Sequence, residues 1–561
     1  MSNNPTAVFQ ELMAPGAPFE TALTNIGGIE HKIFVNIPAN MAGLYAEGLN
    51  FSDEIFLVYE NDRWTYRETY LRAAKIAQNL REKFALQKGD RVALASRNYP
   101  EWIAAYMAVT MMGAVIVPMN SWWLGNELEF GLKDSGAKLL FADQQRMESL
   151  SGKLDALSIQ AVGIRVPAKA KIPDIDSLMQ DWQNAQAPKI EVQPEDWATM
   201  LYTSGSTGNP KGVVATHRNV LSQVYSLSFA VRAMNLITGV EPGKKPASML
   251  LPLPLFHVTG CNVQFLPSFL VGRKLVMMYK WDAAKALELI EHEKINVMSG
   301  VPTMGQDLIE HPDFSKRDIS SLKEISSGGA PKPPEQVRNM AKKAPNLRPG
   351  VGYGLTEING VASSMSGPDY LKYPNSCGKA LPPLTQIKVM LENGATALVE
   401  EWGEVCIKSP AVMKGYWNRP ESTAEVFTHD GWFRTGDIGY LNAEGYLFLV
   451  DRAKDLVIRG GENIGCAEVE GAIALHDAVM EVAVYGVPDE RLGEKVGSTV
   501  MIKPNMQLTE IELKNFLKDK IAAFKQPEYI FFQTEPLPRG ATEKIYKKGI
   551  REQALKKLQL S

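Results

Sequence analysis

Cysteine is scarce in this chain: there are four in 561 residues, Cys261, Cys377, Cys406 and Cys466. No pair stands at a C-x-x-C spacing, so neither a zinc ribbon nor a disulfide framework is expected. Scattered thiols fit a reducing compartment, and a cytoplasmic protein is expected. Neither sign of charge dominates: 60 Lys plus Arg against 63 Asp plus Glu leave a formal net charge of -3. Nucleic-acid binding needs a basic surface that displaces counterions, and is not expected. Met1-Ser2-Asn3-Asn4-Pro5 lacks the basic and then apolar run of a signal peptide. Trp102 to Pro118 is charge-free over 17 residues, just short of a membrane span. It contains Gly113 and follows the alternating Arg91–Ala95, so a buried helix feeding a strand at Ala114–Val117 is expected and a transmembrane segment is not.

The apolar fraction of 45% and charged fraction of 22% are ordinary for a globular protein, and the length implies two or more domains. Thr65-Tyr66-Arg67-Glu68 is a capping box, behind which Tyr70, Ala73, Ala77, Leu80 and Phe84 recur at helical spacing. Gly89-Asp90 then turns the chain into a strand at 91–95. This alternation continues to about residue 330 and implies parallel α/β layers. From about residue 375, short segments such as Gly403–Lys408 read as a small antiparallel β unit. After Val450 a new alternation is long enough for a compact domain of about 110 residues. The expected fold class is α/β. A large N-terminal domain of α/β subdomains spans 1–450 and includes a small β-barrel-like unit at about 375–450; a smaller α+β domain spans 451–561. The basic residues Arg539, Lys547, Lys548, Arg551, Lys556 and Lys557 read as a solvated helix face, with Lys544 set apart from them.

Chemistry is concentrated in a few motifs. Leu201-Tyr202-Thr203-Ser204-Gly205-Ser206-Thr207-Gly208-Asn209-Pro210-Lys211-Gly212 gathers three glycines and four hydroxyl residues after a strand, with a lysine near its end. Glycines let successive N–H groups form an anion nest, hydroxyls add donors, and Lys211 adds a cation for phosphate. The G-x-x-x-x-G-K-[ST] spacing of nucleoside triphosphatases is absent. Further along stand Gly352-Tyr353-Gly354-Leu355-Thr356-Glu357, Gly431–Asp437, Val450–Asp455 with Arg459–Asn463, and Pro538–Lys544. Two other segments, Pro252–Gly260 and Ser326–Pro331, combine glycines with small residues.

Together, over about residues 40 to 555, these motifs resemble the adenylate-forming superfamily: acyl- and aryl-CoA synthetases, peptide-synthetase adenylation domains and beetle luciferases. The resemblance implies an ATP-dependent acyl-CoA synthetase. Such an enzyme forms an acyl-adenylate with release of pyrophosphate, then the thioester with release of AMP. Thr203, Ser204, Gly205, Ser206, Thr207, Gly208 and Lys211 would hold phosphates. Gly329, Ala330, Pro331, Gly352, Gly354 and Leu355 would line the AMP site. Tyr353 would stack on adenine, Thr356 would reach the AMP phosphate, Asp437 the ribose, and Arg452 the ribose and phosphate. Glu357 and Thr207 would hold Mg²⁺, a hard cation suited to oxygen ligands. Lys544, Thr203, Glu357 and His257 would be catalytic, with Lys544 carried in by the smaller domain. His257, Val258, Gly328 and Gly354 would meet the acyl group. Gly460, Gly461 and Glu462 would line the coenzyme A channel, and Lys454 would be the hinge. The family usually has Gly before the catalytic lysine; here it is Glu543.

No acid occurs from Leu251 to Phe265 to pair with an α-amino group, and an unpaired buried ammonium is costly. An amino-acid substrate is therefore disfavoured, and a medium- or long-chain fatty acid or other apolar acid is expected. A carrier-protein thiol as acceptor, an aryl-CoA ligase and a luciferase-like oxidase are the alternatives. The expected partners are the acid, ATP and coenzyme A, with a homodimer left open.

Overall fold

The computed structural model describes residues 4–167, 172–203, 210–239, 246–330, 332–453, 455–460, 462–540 and 544–560. Two large sheets form the bulk. The seven-stranded sheet is parallel through Arg91–Ala95, Val115–Pro118, Leu139–Asp143 and Gln160–Ile164. It ends in antiparallel pairing of Trp197–Tyr202 with Gly212–Thr216. The nine-stranded sheet is parallel through Lys274–Met277, Ser248–Leu251, Val297–Gly300, Glu324–Gly328 and Arg348–Leu355. The last of these pairs antiparallel with Gly360–Ser366.

The capping box forms as read: Thr65 Oγ1 accepts from the Glu68 N–H, Glu68 accepts from the Thr65 N–H, and the helix runs Tyr66–Phe84. The apolar run resolves into a helix, Pro100–Met111, buried along its whole length, followed by the strand Val115–Pro118. It lies between the two large sheets, in one core with Phe56, Leu57 and Leu251 of one and Val92, Leu94 and Ile116 of the other. That is why it carries no polar face. Among the described residues one helix, His217–Thr238, is long and apolar enough to cross a membrane; half of its apolar window is buried inside the protein. Phe229 of this helix packs edge-on against Phe9 and Phe19 of the N-terminal segment, at 5.3 and 5.4 Å between ring centres.

The strand expected at Gly403–Lys408 belongs to a four-stranded antiparallel sheet with Gln386–Met390, Phe433–Leu441 and Leu447–Arg452. A small C-terminal domain follows, with a five-stranded sheet and its own core of Val457, Val469, Val484, Val500 and Leu513. The basic residues near the end are not uniformly solvated. Lys547 pairs with Glu470 of the helix Cys466–Ile473 at 2.7 Å, and Arg539 with Glu481 of the strand Val479–Asp489, because these facing elements present their acids from largely buried positions.

Candidate active site

A cleft of about 2,340 Å³ opens between the large and small domains and continues into the large one. That is more than twice the volume filled by a drug-sized ligand, enough for a nucleotide and an acyl body side by side. Strands of the two large sheets, the helix His217–Thr238 and the N-terminal segment all contribute to its wall.

Tyr202 pairs with Gly212, and the Thr203 N–H donates to the Lys211 carbonyl at 3.0 Å, so the two ends of the hydroxyl-rich loop are tied together. Ser204, Gly205, Ser206, Thr207 and Gly208 lie outside the described residues, as do Pro331, Lys454 and Gly461. The Lys211 ammonium donates to Ser422 Oγ at 3.1 Å and lies 4.9 Å from the centre of the Tyr416 ring. The Tyr416 hydroxyl in turn donates to Glu357 Oε1 at 2.8 Å. Lys211, Tyr416 and Glu357 thus stand along one side of the cleft, and all three line it. Tyr416 and Ser422 escaped the sequence reading. The small cluster Lys414-Gly415-Tyr416-Trp417 was the available signal.

Glu357 sits in the single turn Thr356–Ile358 that ends the strand Arg348–Leu355, and its own carbonyl accepts from the Met413 N–H at 2.7 Å. Among the described residues no group of three or more His, Cys, Asp or Glu forms a metal cluster. A lone carboxylate in a cleft nevertheless suits Mg²⁺, which keeps waters and substrate phosphates as its other ligands.

Asp437 is 7% exposed and level with Arg452 on the neighbouring strand, whose Nε lies 3.4 Å from its Oδ1. The Tyr353 hydroxyl donates to Asp437 Oδ2 at 2.6 Å. The Tyr353 ring packs in the core with Val213, Ile358, Val405 and Phe433, so the observed work of this residue is to orient the carboxylate. Burial, and then the Asp437 charge, push its hydroxyl far up, so it stays a donor.

Gly329 holds a left-handed φ of +77°, and a Cβ there would stand 3.0 Å from Lys544 Cε and 3.3 Å from Nζ. The structure thus brings the Lys544 side chain against this loop. Burial, and then the Arg452 charge, push the Lys544 ammonium down to about 8, against the pull of Asp437. Room for ligand is not the reason for two other glycines: a Cβ at Gly328 would meet the Gly352 carbonyl at 2.8 Å, and one at Gly354 the Gly360 carbonyl at 1.7 Å. Both admit neighbouring backbone instead.

His257, Val258, Gly328 and Gly354 all line the cleft, together with Thr203, Gly329, Gly352, Leu355, Thr356 and Arg452. His257 Nδ1 accepts from the Thr259 N–H at 3.3 Å, which leaves the proton on Nε2. Burial, and then the Lys544 charge, push this imidazole down to about 3, so it is neutral at any working pH. Beyond His257 the cavity runs as a tunnel between the nine-stranded sheet and the helix His217–Thr238. Val231, Met234, Val263, Met249, Val297 and Leu270 line it, with Phe9, Leu12 and Phe19 at its outer wall. Gly460 and Glu462 are not part of the described cleft wall. They flank a hairpin turn of the small domain, where Gly460 donates to the Leu492 carbonyl at 2.7 Å.

Residues 46–417 match the AMP-binding enzyme family and residues 468–544 its C-terminal domain. Over 496 residues the chain is 34% identical to the long-chain-fatty-acid–CoA ligase FadD13 of Mycobacterium tuberculosis, covering 88% of this chain and 93% of that one. It is 33% identical to a feruloyl-CoA synthase of an Amycolatopsis species, covering 87% and 93%. Among solved structures, ATP-bound MatB from Rhodopseudomonas palustris superposes with a TM-score of 0.82 at 28% identity, covering 92% and 99%. The o-succinylbenzoate CoA synthetase of Bacillus subtilis, in complex with an acyl-adenylate, gives 0.77 at 29%, covering 91% and 97%.

Proposed function

Since this chain belongs to the AMP-binding enzyme family and is an AMP-forming acid–thiol ligase, we propose that it joins a medium- or long-chain apolar acid to coenzyme A. The observation that carries the reading is the position of Lys544. The small domain sets this ammonium against Gly329, within reach of the charges of Asp437 and Arg452, at the mouth of an apolar tunnel.

In the first step a carboxylate oxygen of the acid attacks the α-phosphorus of ATP and pyrophosphate departs. Lys544 meets the oxygens on which charge accumulates, Lys211 holds the leaving phosphates, and Asp437, fixed by Tyr353, accepts from the ribose hydroxyls. Neutral His257 offers its Nε2–H to the carboxylate and fixes its direction of attack. Mg²⁺, held by Glu357 and phosphate oxygens, would supply neutralising charge. In the second step the coenzyme A thiolate attacks the adenylate carbonyl and AMP departs. Gly460 and Glu462 stand off the cleft wall in this state, which supports a second arrangement in which the small domain turns at Lys454 and brings its hairpin to the tunnel.

An apolar tunnel beyond His257 favours an extended aliphatic body. The equal similarity to a feruloyl-CoA synthase supports an aryl acid as the second reading. Acids of graded length and shape, assayed for pyrophosphate exchange and for coenzyme-A-dependent AMP formation, test both. Exchange without any response to coenzyme A would instead favour a carrier-protein thiol as acceptor.

A further inference from the structure

The apolar lining of the tunnel is interrupted at its far end. Arg273 precedes the strand Lys274–Met277, which lies inside the nine-stranded sheet between Ser248–Leu251 and Ile55–Tyr59, at the strand ends opposite the nucleotide cleft. Among the described residues its guanidinium has one hydrogen-bond partner, the Met249 thioether, 3.1 Å from Nη1, and no carboxylate within 4.0 Å. A guanidinium carries five N–H donors and keeps its charge. Arg273 lines the cavity, and none of its nitrogens is both fully buried and unpartnered, so donors remain open to whatever fills the tunnel. Glu324, the nearest acid on the wall, is already engaged. Its Oε2 receives the Arg348 guanidinium, with Nε at 3.0 Å, and its Oε1 receives Ser326 Oγ at 2.5 Å. Arg348 and Lys323 line the same cavity.

The strand register sets the scale. Met249 lies level with Val297, and Val297 with Glu324. Gly328, next to the glycine that touches Lys544, is four residues further along that strand, roughly 13 Å away. The strand Lys274–Met277 is three strand spacings across the sheet, about 14 Å, and Arg273 lies two residues beyond the Met249 level, so roughly 24 Å separates the backbone of Gly328 from that of Arg273 and a long acid is needed to span them.

We propose that Arg273 is a specificity-determining residue that receives a second acidic group, so that the tunnel takes long-chain α,ω-dicarboxylic acids in preference to the plain acids of equal length. The proposal rests on the adenylating reading of the cleft. A carboxylate can accept two parallel N–H bonds from a guanidinium, whereas a methyl terminus offers it no acceptor. Pyrophosphate exchange by the full-length enzyme, with a dicarboxylic acid and the matching monocarboxylic acid, gives a ratio of kcat/KM values in which any general loss of folded enzyme cancels. Arg273→Met is expected to lower that ratio roughly 10- to 100-fold, the scale of one charge-assisted hydrogen-bond pair, and Arg273→Lys less. An unchanged ratio in Arg273→Met, with monocarboxylic acids still turned over, overturns the proposal. Absence of exchange with every acid overturns the adenylating reading itself. If Arg273→Met does not fold, a length series on the wild-type enzyme decides. Dicarboxylic acids favoured over the plain acids of equal length at some length in the series support the proposal, and monocarboxylic acids favoured at every length refute it.

Discussion

Raising the pH through 8 should switch off adenylation while leaving the protein folded. Lys544 is the group responsible: burial brings its ammonium from 10.5 down to about 8. The charged form is the active one, so activity is present below that value and lost as pH rises through it. For a single group titrating near 8, the protonated fraction falls from roughly 0.9 at pH 7 to roughly 0.1 at pH 9, about a tenfold loss. The same displacement corresponds to roughly 3 kcal/mol by which the empty cleft disfavours the charge, a strain that phosphate oxygens relieve on binding. Consequently the descending limb belongs to kcat/KM, which reports the free enzyme, and should move upward in kcat, which reports the loaded one. The assay is ATP–pyrophosphate exchange at subsaturating ATP and acid between pH 6 and 10. Lys544→Arg, whose charge persists throughout, should flatten the limb even if its rate is lower. A flat wild-type profile to pH 10, or the same fall in Lys544→Arg, would refute the assignment.

Lys544→Ala should slow adenylation by roughly 10²- to 10³-fold, the usual loss for one transition-state donor, yet spare thioester formation from a supplied acyl-adenylate. Equal losses in the two half-reactions, measured separately, would count against a lysine serving the first step alone. Tyr353→Phe removes a 2.6 Å donor from buried Asp437, and should raise the KM for ATP about tenfold, an effect of about 1.4 kcal/mol. An unaltered KM would mean that Asp437 is held without it. His257 should show a neutral imidazole with its proton on Nε2 by ¹⁵N NMR down to pH 5, because burial keeps it pushed down to about 3. A titration near 6.5 would place the ring in solvent.

Legibility followed range. The helix Tyr66–Phe84 was readable because its cap and its apolar periodicity lie within a few residues of one another. The run from Trp102 was readable as a buried helix, since its polar-free faces must be covered on both sides. Motif glycines were readable as sites of close approach, but the approaching group was not: at Gly354 it is the Gly360 carbonyl and at Gly329 the Lys544 side chain. Tyr353 illustrates the same limit. Its place in a nucleotide motif was plain, whereas its hold on Asp437 joins residues 84 positions apart.

The sequence by itself therefore determined the elements, the mixed α/β class and the residue types needed for acyl adenylation, because those depend on local periodicity, caps and the chemistry of single side chains. Only the tertiary structure decided which of them meet. Lys211 with Tyr416 and Glu357, Lys544 with Gly329, and Arg273 at the end of a tunnel walled by the helix His217–Thr238 all arise from packing distant segments around shared cores. Such contacts are fixed by how volumes fill space across the whole chain, which no window of sequence contains.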